Sequence, residues 1–218
     1  MSELSAVIFD LGGVVLGSPL HAIAAYERES GIPAGFINRV VVDTAPGGAW
    51  SRLERGEISL EVFYEAFDGE CRSAGERISA REMMARMSAA SLPRPQMLSA
   101  IAQLRDRAFK VAALTNNWVS EDPAEGSGAL RPLFDIFIES SVVGLRKPDP
   151  RIYQHACRAL EIEPHQAVFL DDIGSNLKAA RALGMTTIKV EDPDTALTEL
   201  AAALGLPRLE PRSPRGNQ

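Results

Sequence analysis

Apolar and polar positions along the chain follow two alternating patterns. Short β-branched apolar runs, typical of strands buried on both faces, occur five times. Between them lie stretches in which apolar residues recur three and four positions apart, as on one face of a helix. The predicted strands are LSAVIF, KVAALTNN, FDIFIES, AVFLDD and TTIKV. Strands that alternate with helices indicate a parallel sheet with helices on both faces.

The alternation is interrupted once, between residues 20 and 95, where the pattern is helical and no strand is recognisable. We therefore predict an α/β fold with a Rossmann-like parallel sheet core, residues 1–18 and 96–208, and a helical cap inserted after the first strand, residues 19–95. Residues 209–218 are polar and rich in proline, so we expect a disordered tail.

Composition and charge argue against several classes of function. The 218 residues are 45% hydrophobic and carry a net charge of -6, which argues against nucleic acid or an anionic membrane as a partner. No apolar run is long enough to span a membrane, and the first residues lack the features of a signal peptide. The two cysteines have no metal-binding spacing, so we expect free thiols, a cytoplasmic protein, and a monomer or homodimer.

Polar side chains follow several of the predicted strands. Asp10 comes after the first strand and Thr115 ends the second, while Asp171 and Asp172 follow the fourth and Lys147 lies in the loop after the third. Each alone has an ordinary explanation, such as a turn, a helix cap or a surface charge. The carboxyl ends of parallel strands meet at one edge of a sheet, however, so we expect these groups to converge.

Such a convergence has chemical consequences. Three carboxylates packed together repel one another unless a cation neutralises them. Carboxylate and backbone carbonyl oxygens suit Mg²⁺. A lysine, a hydroxyl and loop N–H groups beside that cation would form a phosphate site.

Four segments carry a resemblance to a known family: FDLGGVV, LTNN, GLRKPDPRIY and VFLDDIGSNLKAARALGM. They resemble the four ordered motifs of the haloacid dehalogenase-like (HAD) hydrolases of the capped subfamily I, and the similarity runs from residue 5 to about residue 205. The last two motifs are similar to the N-terminal phosphatase domain of soluble epoxide hydrolases and to the HAD segment fused to some acyl-CoA dehydrogenases. The resemblance implies a Mg²⁺-dependent phosphatase that acts on a small phosphorylated metabolite.

The resemblance also implies roles for individual residues. Asp10 would be the nucleophile that forms an aspartyl-phosphate. Thr115 and the amide of Asn116 would hold phosphoryl oxygens, with the loop at Gly12 beside them. Lys147 would offset negative charge on the nucleophile and the phosphoryl group.

The implied metal ligands are Asp10, Asp172 and the carbonyl of Gly12. Asp171 would lie behind them or serve as an alternative ligand. Asn176 would either orient these groups or cap the following helix. The sequence leaves open which of the two neighbouring aspartates binds Mg²⁺ directly.

Gly12 departs from the pattern of the family, whose phosphatases carry a second aspartate at this position as the general acid. General acid–base help is worth roughly 100- to 10,000-fold in rate. Either the substrate has a good leaving group, or the cap or substrate supplies the proton, or the protein is a weak or non-catalytic binding domain. A dehalogenase and a receiver-like phospho-acceptor are further alternatives. The acidic pair disfavours the first, and the order of the motifs disfavours the second.

Several cap residues are candidates for substrate contacts or for packing. The polar candidates are Arg28, Asp43, Arg52 and Glu57. Gly56 is predicted to end a helix. Met83, Met84 and Met87 are expected to belong to the core of the cap rather than to a lipid groove.

Overall fold

The computed structural model describes residues 3–119 and 126–209. Five parallel strands form one sheet in the order β3-β2-β1-β4-β5. Their bounds are Ala6–Phe9 for β1, Lys110–Thr115 for β2, Ile136–Glu139 for β3, Ala167–Asp171 for β4 and Thr186–Lys189 for β5. The five predicted strands and the Rossmann-like α/β class are confirmed.

Ten α-helices lie within the described ranges. They are α1 Pro19–Ser30, α2 Phe36–Thr44, α3 Ala49–Glu54, α4 Leu60–Ser73, α5 Ala80–Ala90, α6 Pro95–Asp106, the single turn α7 Ser140–Val143, α8 Pro150–Leu160, α9 Gly174–Ala182 and α10 Pro193–Ala203. Shorter 3₁₀ segments cover Gly126–Leu133 and Pro164–Gln166. Of the helices described, none has the length and apolar character needed to cross a membrane.

Two apolar layers enclose the sheet, which explains why its central strands β1, β2 and β4 are apolar at nearly every position. In β1, Val7 and Phe9 face one layer, which α6 and α10 complete. Ala6 and Ile8 face the other layer, which contains α8 and α9. All four side chains are fully buried. Because β1 is also the middle strand, the residue at its carboxyl end lies between two neighbouring strand ends.

The segment between β1 and α6 contains α1–α5, which share an apolar cluster of their own. Phe63 and Phe67 stack with their ring centres 5.2 Å apart, and Trp50 packs edge-on against both. Leu16 pairs with Pro93 in an antiparallel bridge where the chain leaves the sheet and returns to it. This separate cluster supports treating residues 19–95, here called the cap segment, as a unit distinct from the core.

Two features of the cap segment can be compared with the sequence: the helix end at Gly56 and helix α2. The stop at Gly56 is confirmed, because α3 ends just before it and its φ of +70° is in the left-handed region. A Cβ at Gly56 would lie 2.3 Å from the carbonyl oxygen of Ser141 in the core. Helix α2 falls inside the stretch that is predicted to be helical, although its sequence is less regular. Its valines at Val40–Val42 form a β-branched run that obscures the helical period.

The structure describes one residue of the predicted disordered tail and both cysteines. Leu209, the first residue of the predicted disordered tail, is buried in the apolar layer beside α6 and α10. The rest of that tail, residues 210–218, lies outside the described residues. Cys71 and Cys157 are free and buried, as expected.

Candidate active site

The register of the sheet brings the predicted carboxylates together. Phe9 pairs with Leu170 of β4, and the backbone N–H of Asp10 donates to the carbonyl of Leu170. Asp10 therefore lies beside the end of β4, where Asp171 and Asp172 follow. Oxygens of these three carboxylates lie within 4.8 Å of one another. The convergence predicted at the edge of the sheet is present.

Asp10 is almost completely buried. Its Oδ1 accepts a 2.7 Å hydrogen bond from the backbone N–H of Leu11 and lies 2.9 Å from Nζ of Lys147. Both of these contacts end on Oδ1. Oδ2 is therefore the oxygen that the site leaves for a reaction.

Lys147 links two of the carboxylates. Its Nζ donates to Oδ2 of Asp171 at 2.7 Å in addition to its contact with Asp10, and the side chain is only 1% exposed. Burial alone lowers the pKa of Lys147, but the charges of Asp10 and Asp171 outweigh it and hold the pKa above its usual value. The ammonium group is therefore a fixed positive charge at the base of the site.

Asn116 positions Lys147. Its Oδ1 accepts from the backbone N–H of Lys147 at 2.8 Å, and its Nδ2 donates to the carbonyl of Lys147 at 3.0 Å. Because this pairing occupies the side-chain amide, only the backbone N–H of Asn116 is suited to the phosphoryl role implied by the sequence. Thr115 is buried, and its hydroxyl makes one long contact of 3.4 Å to the carbonyl of Asn116.

The two neighbouring aspartates have different surroundings. Asp171 is fully buried, and its oxygens accept from the backbone N–H of Ile173 at 2.7 Å and from Nδ2 of Asn176 at 3.1 Å, besides Lys147. Asn176 therefore orients a carboxylate, and Ile173 occupies the N-cap position of α9. Asp172, in contrast, lines the cavity above the site.

The electrostatics of the site favour a bound cation. Burial raises the pKa of Asp172 to about 6, and the negative charge of Asp171 adds to the shift. Burial also raises the pKa of Asp10 well above its usual range, although Lys147 opposes this shift. Lys147 forms ion pairs with Asp10 and Asp171, whereas its charge and that of Arg94 act on Asp172 only from a distance. A divalent cation among carboxylate oxygens would balance the charge, and this donor set fits Mg²⁺.

The two glycines after Leu11 have different structural roles. Gly13 has a φ of +80°, and a Cβ there would lie 2.1 Å from Oδ2 of Asp172. Gly12 has an ordinary φ of −65°, and a Cβ there would meet only the ring of Pro19, at 3.3 Å. The close approach to the acidic cluster therefore requires glycine at position 13, whereas a side chain at position 12 requires the ring of Pro19 to shift by a few tenths of an ångström.

Alanine at these two positions provides a matched test. Gly13→Ala is expected to lower the free energy of unfolding by about 1–3 kcal/mol, from the left-handed backbone and the contact with Asp172. Gly12→Ala is expected to change it by less than about 0.5 kcal/mol. Urea denaturation of both variants measures the difference. Equal stabilities would contradict the close packing of Gly13 against Asp172.

A cavity of about 1200 Å³ lies between the acidic cluster and the cap segment. Its lining includes Asp10, Thr115, Lys147 and Asp172 from the core. The polar cap residues that the sequence suggests are not among the lining residues: Arg28, Asp43, Arg52 and Glu57. Of these, Arg28 pairs with Glu29, and Glu57 pairs with Arg52 and Arg55.

Glu54 is a cap residue that lines the cavity and contacts Asn116, and sequence reasoning missed it. Its Oε2 accepts from Nε of Arg146 at 2.6 Å and from Nδ2 of Asn116 at 3.3 Å. Its Oε1 accepts from the indole N–H of Trp50 at 2.9 Å. Glu54 thus ties the end of α3 to the loop that carries Lys147. Nothing in the spacing of Glu54 and Arg146 along the chain indicates that they meet.

The motif geometry agrees with a comparison against protein-family models. Residues 4–184 match the model described as haloacid dehalogenase-like hydrolase. The chain belongs to this family. The resemblance inferred from the four motifs is therefore confirmed, and the protein is a HAD-like hydrolase.

Two curated relatives match this HAD-like hydrolase along almost its whole length. Acyl-CoA dehydrogenase family member 10 of Mus musculus is 38% identical over 205 residues, covering 93% of this chain and 19% of the relative. Bifunctional epoxide hydrolase 2 of Sus scrofa is 36% identical over 221 residues, covering 95% of this chain and 40% of the relative. The chain thus spans less than half the length of either protein.

Two further proteins match over nearly their full length. Sesquiterpene phosphatase astK of Aspergillus oryzae is 26% identical over 211 residues, covering 94% of this HAD-like hydrolase and 98% of the relative. The HAD family enzyme BT-2542 of Bacteroides thetaiotaomicron, solved with magnesium and inorganic phosphate, has a TM-score of 0.60. It is 19% identical, covers 87% of this chain and 96% of its own, and shows the shared fold.

Proposed function

We propose that this chain is a Mg²⁺-dependent phosphatase that hydrolyses a phosphate monoester through an aspartyl-phosphate at Asp10. The observation that carries the proposal is the buried Lys147, held between Asp10 and Asp171 while Asp172 faces the same cavity. A nucleophile, a fixed positive charge and a cation site at the base of one cavity are the parts that phosphoryl transfer needs. The fungal relative that matches over nearly its full length is a phosphatase, which supports the same activity.

Asp10, Asp172 and the carbonyl of Gly12 would hold the metal ion. The contacts of Asp171 with Lys147, Ile173 and Asn176 favour Asp172 over Asp171 as the direct ligand. When bound, Mg²⁺ would offset negative charge on the carboxylates and on the phosphoryl oxygens, which lowers the repulsion between nucleophile and substrate.

Asp10, Lys147 and Thr115 have separate roles in the proposed reaction. Oδ2 of Asp10 attacks phosphorus, so that an O–P bond forms while the bond from phosphorus to the ester oxygen breaks. The ester oxygen leaves with the electron pair and takes a proton from water. A water molecule then attacks the phosphorus of the aspartyl-phosphate, which releases phosphate and restores the carboxylate. Lys147 holds Oδ1 of Asp10 throughout, and Thr115 would donate to a phosphoryl oxygen.

Dehalogenation is the competing reaction for an aspartate at this position. There the carboxylate attacks carbon and displaces halide, which needs no cation site. The three clustered carboxylates repel one another, and the raised pKa of Asp172 reflects this repulsion and its burial. Dehalogenation does not explain why the site brings them together. The acidic cluster therefore favours phosphoryl transfer.

Hydrolysis of 4-nitrophenyl phosphate tests the proposal. We expect phosphate release that requires Mg²⁺ and stops when a chelator removes it, and that returns when Mg²⁺ is added back. The same protein should release no halide from 2-haloacids. Absence of turnover with every phosphate ester, together with retained phosphate binding, would identify a non-catalytic binding domain instead.

The missing acid at Gly12 predicts a strong dependence on the leaving group. Without a nearby proton donor the ester oxygen departs as an anion, so aryl and acyl phosphates should react far faster than alkyl phosphates. Gly12→Asp is expected to raise kcat/KM for alkyl phosphates by roughly 100-fold and to change aryl phosphates little. The φ of −65° at position 12 is ordinary for an L residue, and the first side-chain atom meets only the ring of Pro19.

The measurement is kcat/KM for phosphate monoesters of graded leaving-group pKa, in wild type and in Gly12→Asp. Gly12→Asn is the matched control, because it has the same shape without the acid. A flat dependence in the wild type would mean that another group donates the proton, and the interpretation of Gly12 would be wrong.

A further inference from the structure

Glu54 lies at the end of α3, and three groups donate hydrogen bonds to its buried carboxylate. Oε1 accepts from the indole N–H of Trp50 at 2.9 Å. Oε2 accepts from Nε of Arg146 at 2.6 Å and from Nδ2 of Asn116 at 3.3 Å. These contacts favour the carboxylate form, so Glu54 is not the proton donor that position 12 lacks. Its partners indicate a different role.

The side-chain amide of Asn116 is held in one orientation. Its Oδ1 accepts from the backbone N–H of Lys147, and its Nδ2 donates both to the carbonyl of Lys147 and to Glu54. A flipped amide would place its oxygen against two acceptors and its NH2 group against a donor. The carboxylate of Glu54 thus adds a contact that selects the orientation in which Asn116 pairs with the backbone of Lys147.

Arg146, the residue before Lys147, connects the same carboxylate to the loop from a second direction. Besides Glu54, its guanidinium contacts Oγ of Ser51 at 3.3 Å, and Ser51 is buried on α3. The side chains of Arg146 and Glu54 are only 21% and 9% exposed. A charge-assisted hydrogen bond with so little exposure is stronger than an ion pair on the surface. Helix α3 therefore holds both the residue next to Lys147 and the amide that pairs with it.

The end of α3 packs tightly against the core. A Cβ at Gly56 would lie 2.3 Å from the carbonyl oxygen of Ser141, and the φ of +70° at Gly56 also favours glycine. Gly56 follows shortly after Glu54 in the chain. This close approach therefore keeps the carboxylate of Glu54 within hydrogen-bond distance of Asn116 and Arg146.

We infer that Glu54 is a positioning residue for Lys147. It acts through the amide of Asn116 and the guanidinium of Arg146, which fix the loop from which Nζ of Lys147 reaches the nucleophile. The inference rests on the proposed phosphatase function, in which Lys147 supplies the fixed positive charge beside that nucleophile. In this role Glu54 does not contact the phosphoryl group. Its loss should therefore lower kcat and leave KM nearly unchanged.

Replacement of Glu54 in the full chain tests the inference with 4-nitrophenyl phosphate as substrate. Glu54→Ala is expected to lower kcat roughly 10- to 100-fold with less than about a threefold change in KM, because small displacements at the reacting centre have effects of this size. Glu54→Gln keeps the shape but turns its NH2 group toward one of the three donors, so its kcat should lie between those of Glu54→Ala and the wild type. Glu65→Ala is the matched control and should retain full activity, because Glu65 is an exposed acid of α4 outside the cavity lining.

A double-mutant comparison shows whether the effect passes through Lys147. Single-turnover rates, measured with enzyme in excess, make the slow variants comparable. In Lys147→Met no ammonium group remains to be positioned, so the addition of Glu54→Ala should lower this rate by less than about twofold. The same loss in both backgrounds would show a merely structural role and overturn the inference. A rise in KM with unchanged kcat in Glu54→Ala would also overturn it, because Glu54 would then contact the substrate.

Deuterium exchange of the backbone amide of Lys147, followed by NMR, needs no turnover. This N–H donates to Oδ1 of Asn116, so Glu54→Ala should speed its exchange at least about tenfold, while the amides of β1 stay protected and Glu65→Ala changes neither. Unchanged exchange of the Lys147 amide in Glu54→Ala would overturn the inference and leave the phosphatase function intact. Absence of turnover with every ester in the wild type, together with faster exchange in Glu54→Ala, would overturn the phosphatase function instead.

Discussion

Asp10→Asn is expected to reduce Mg²⁺-dependent phosphate release by on the order of a thousandfold or more, while the protein stays folded. An amide cannot form the covalent phosphoryl intermediate, so the loss concerns the chemical step. The Asn side chain keeps the shape of Asp10 and an oxygen that can accept from the backbone N–H of Leu11. The effect should appear in kcat, with little change in the melting temperature.

The control for this experiment is Asp192→Asn. Asp192 is exposed, does not line the cavity and caps α10 through a 2.9 Å hydrogen bond from the backbone N–H of Thr195, and asparagine is an equally good cap. This variant should keep the activity of the wild type. If Asp10→Asn retains activity within tenfold of the wild type, Asp10 is not the nucleophile.

Asp172→Ala is expected to raise the Mg²⁺ concentration for half-maximal activity by roughly 100-fold. Asp172 lines the cavity, and its pKa is raised by burial and by the charge of Asp171, as expected of a carboxylate poised for a cation. Losing one direct ligand of two carboxylates removes much of the attraction for the ion. Calorimetric titration with Mg²⁺ measures the change without relying on turnover.

Asp43→Ala is the matched control, because Asp43 is an exposed acid of α2 that does not line the cavity. Asp171→Asn should behave differently from Asp172→Ala. Its main effect is the loss of a charge partner for Lys147, so we expect a larger fall in kcat than in Mg²⁺ affinity. Unchanged Mg²⁺ affinity in Asp172→Ala would place the metal elsewhere.

The strand ends could be predicted from sequence because the physical rule is simple. A strand that is apolar at every position must be buried on both faces, and parallel strands align their carboxyl ends at one edge of the sheet. Asp10, Thr115 and Asp171 stand at the ends of such strands, so their convergence follows from the pattern alone. The helical insertion follows from the change of period after β1.

The contacts that position these groups could not be predicted in the same way. The pairing of Asn116 with the backbone of Lys147 depends on how two loops pack, and the sequence carries no period that shows it. The sequence does not distinguish the adjacent glycines Gly12 and Gly13, yet of the two only Gly13 lies close to Asp172.

In the cap segment, too, the sequence does not show which residues contact the core. A helical pattern indicates which face of a helix is apolar but not which end of it meets another domain. Glu54 reaches Arg146 because α3 ends over the loop that carries Lys147. Arg52 and Glu57, close to it in the chain, lie outside the cavity lining. The orientation of the cap on the core therefore decides which polar residue serves the site.

Rapid-quench mass spectrometry during turnover of 4-nitrophenyl phosphate tests the central claim most directly. In the presence of Mg²⁺, the peptide that contains Asp10 is predicted to gain the mass of one phosphoryl group, and the gain should disappear in Asp10→Asn and without Mg²⁺. Steady hydrolysis with no phosphoryl group on that peptide at any quench time, or with the phosphoryl group on another residue, would contradict the account.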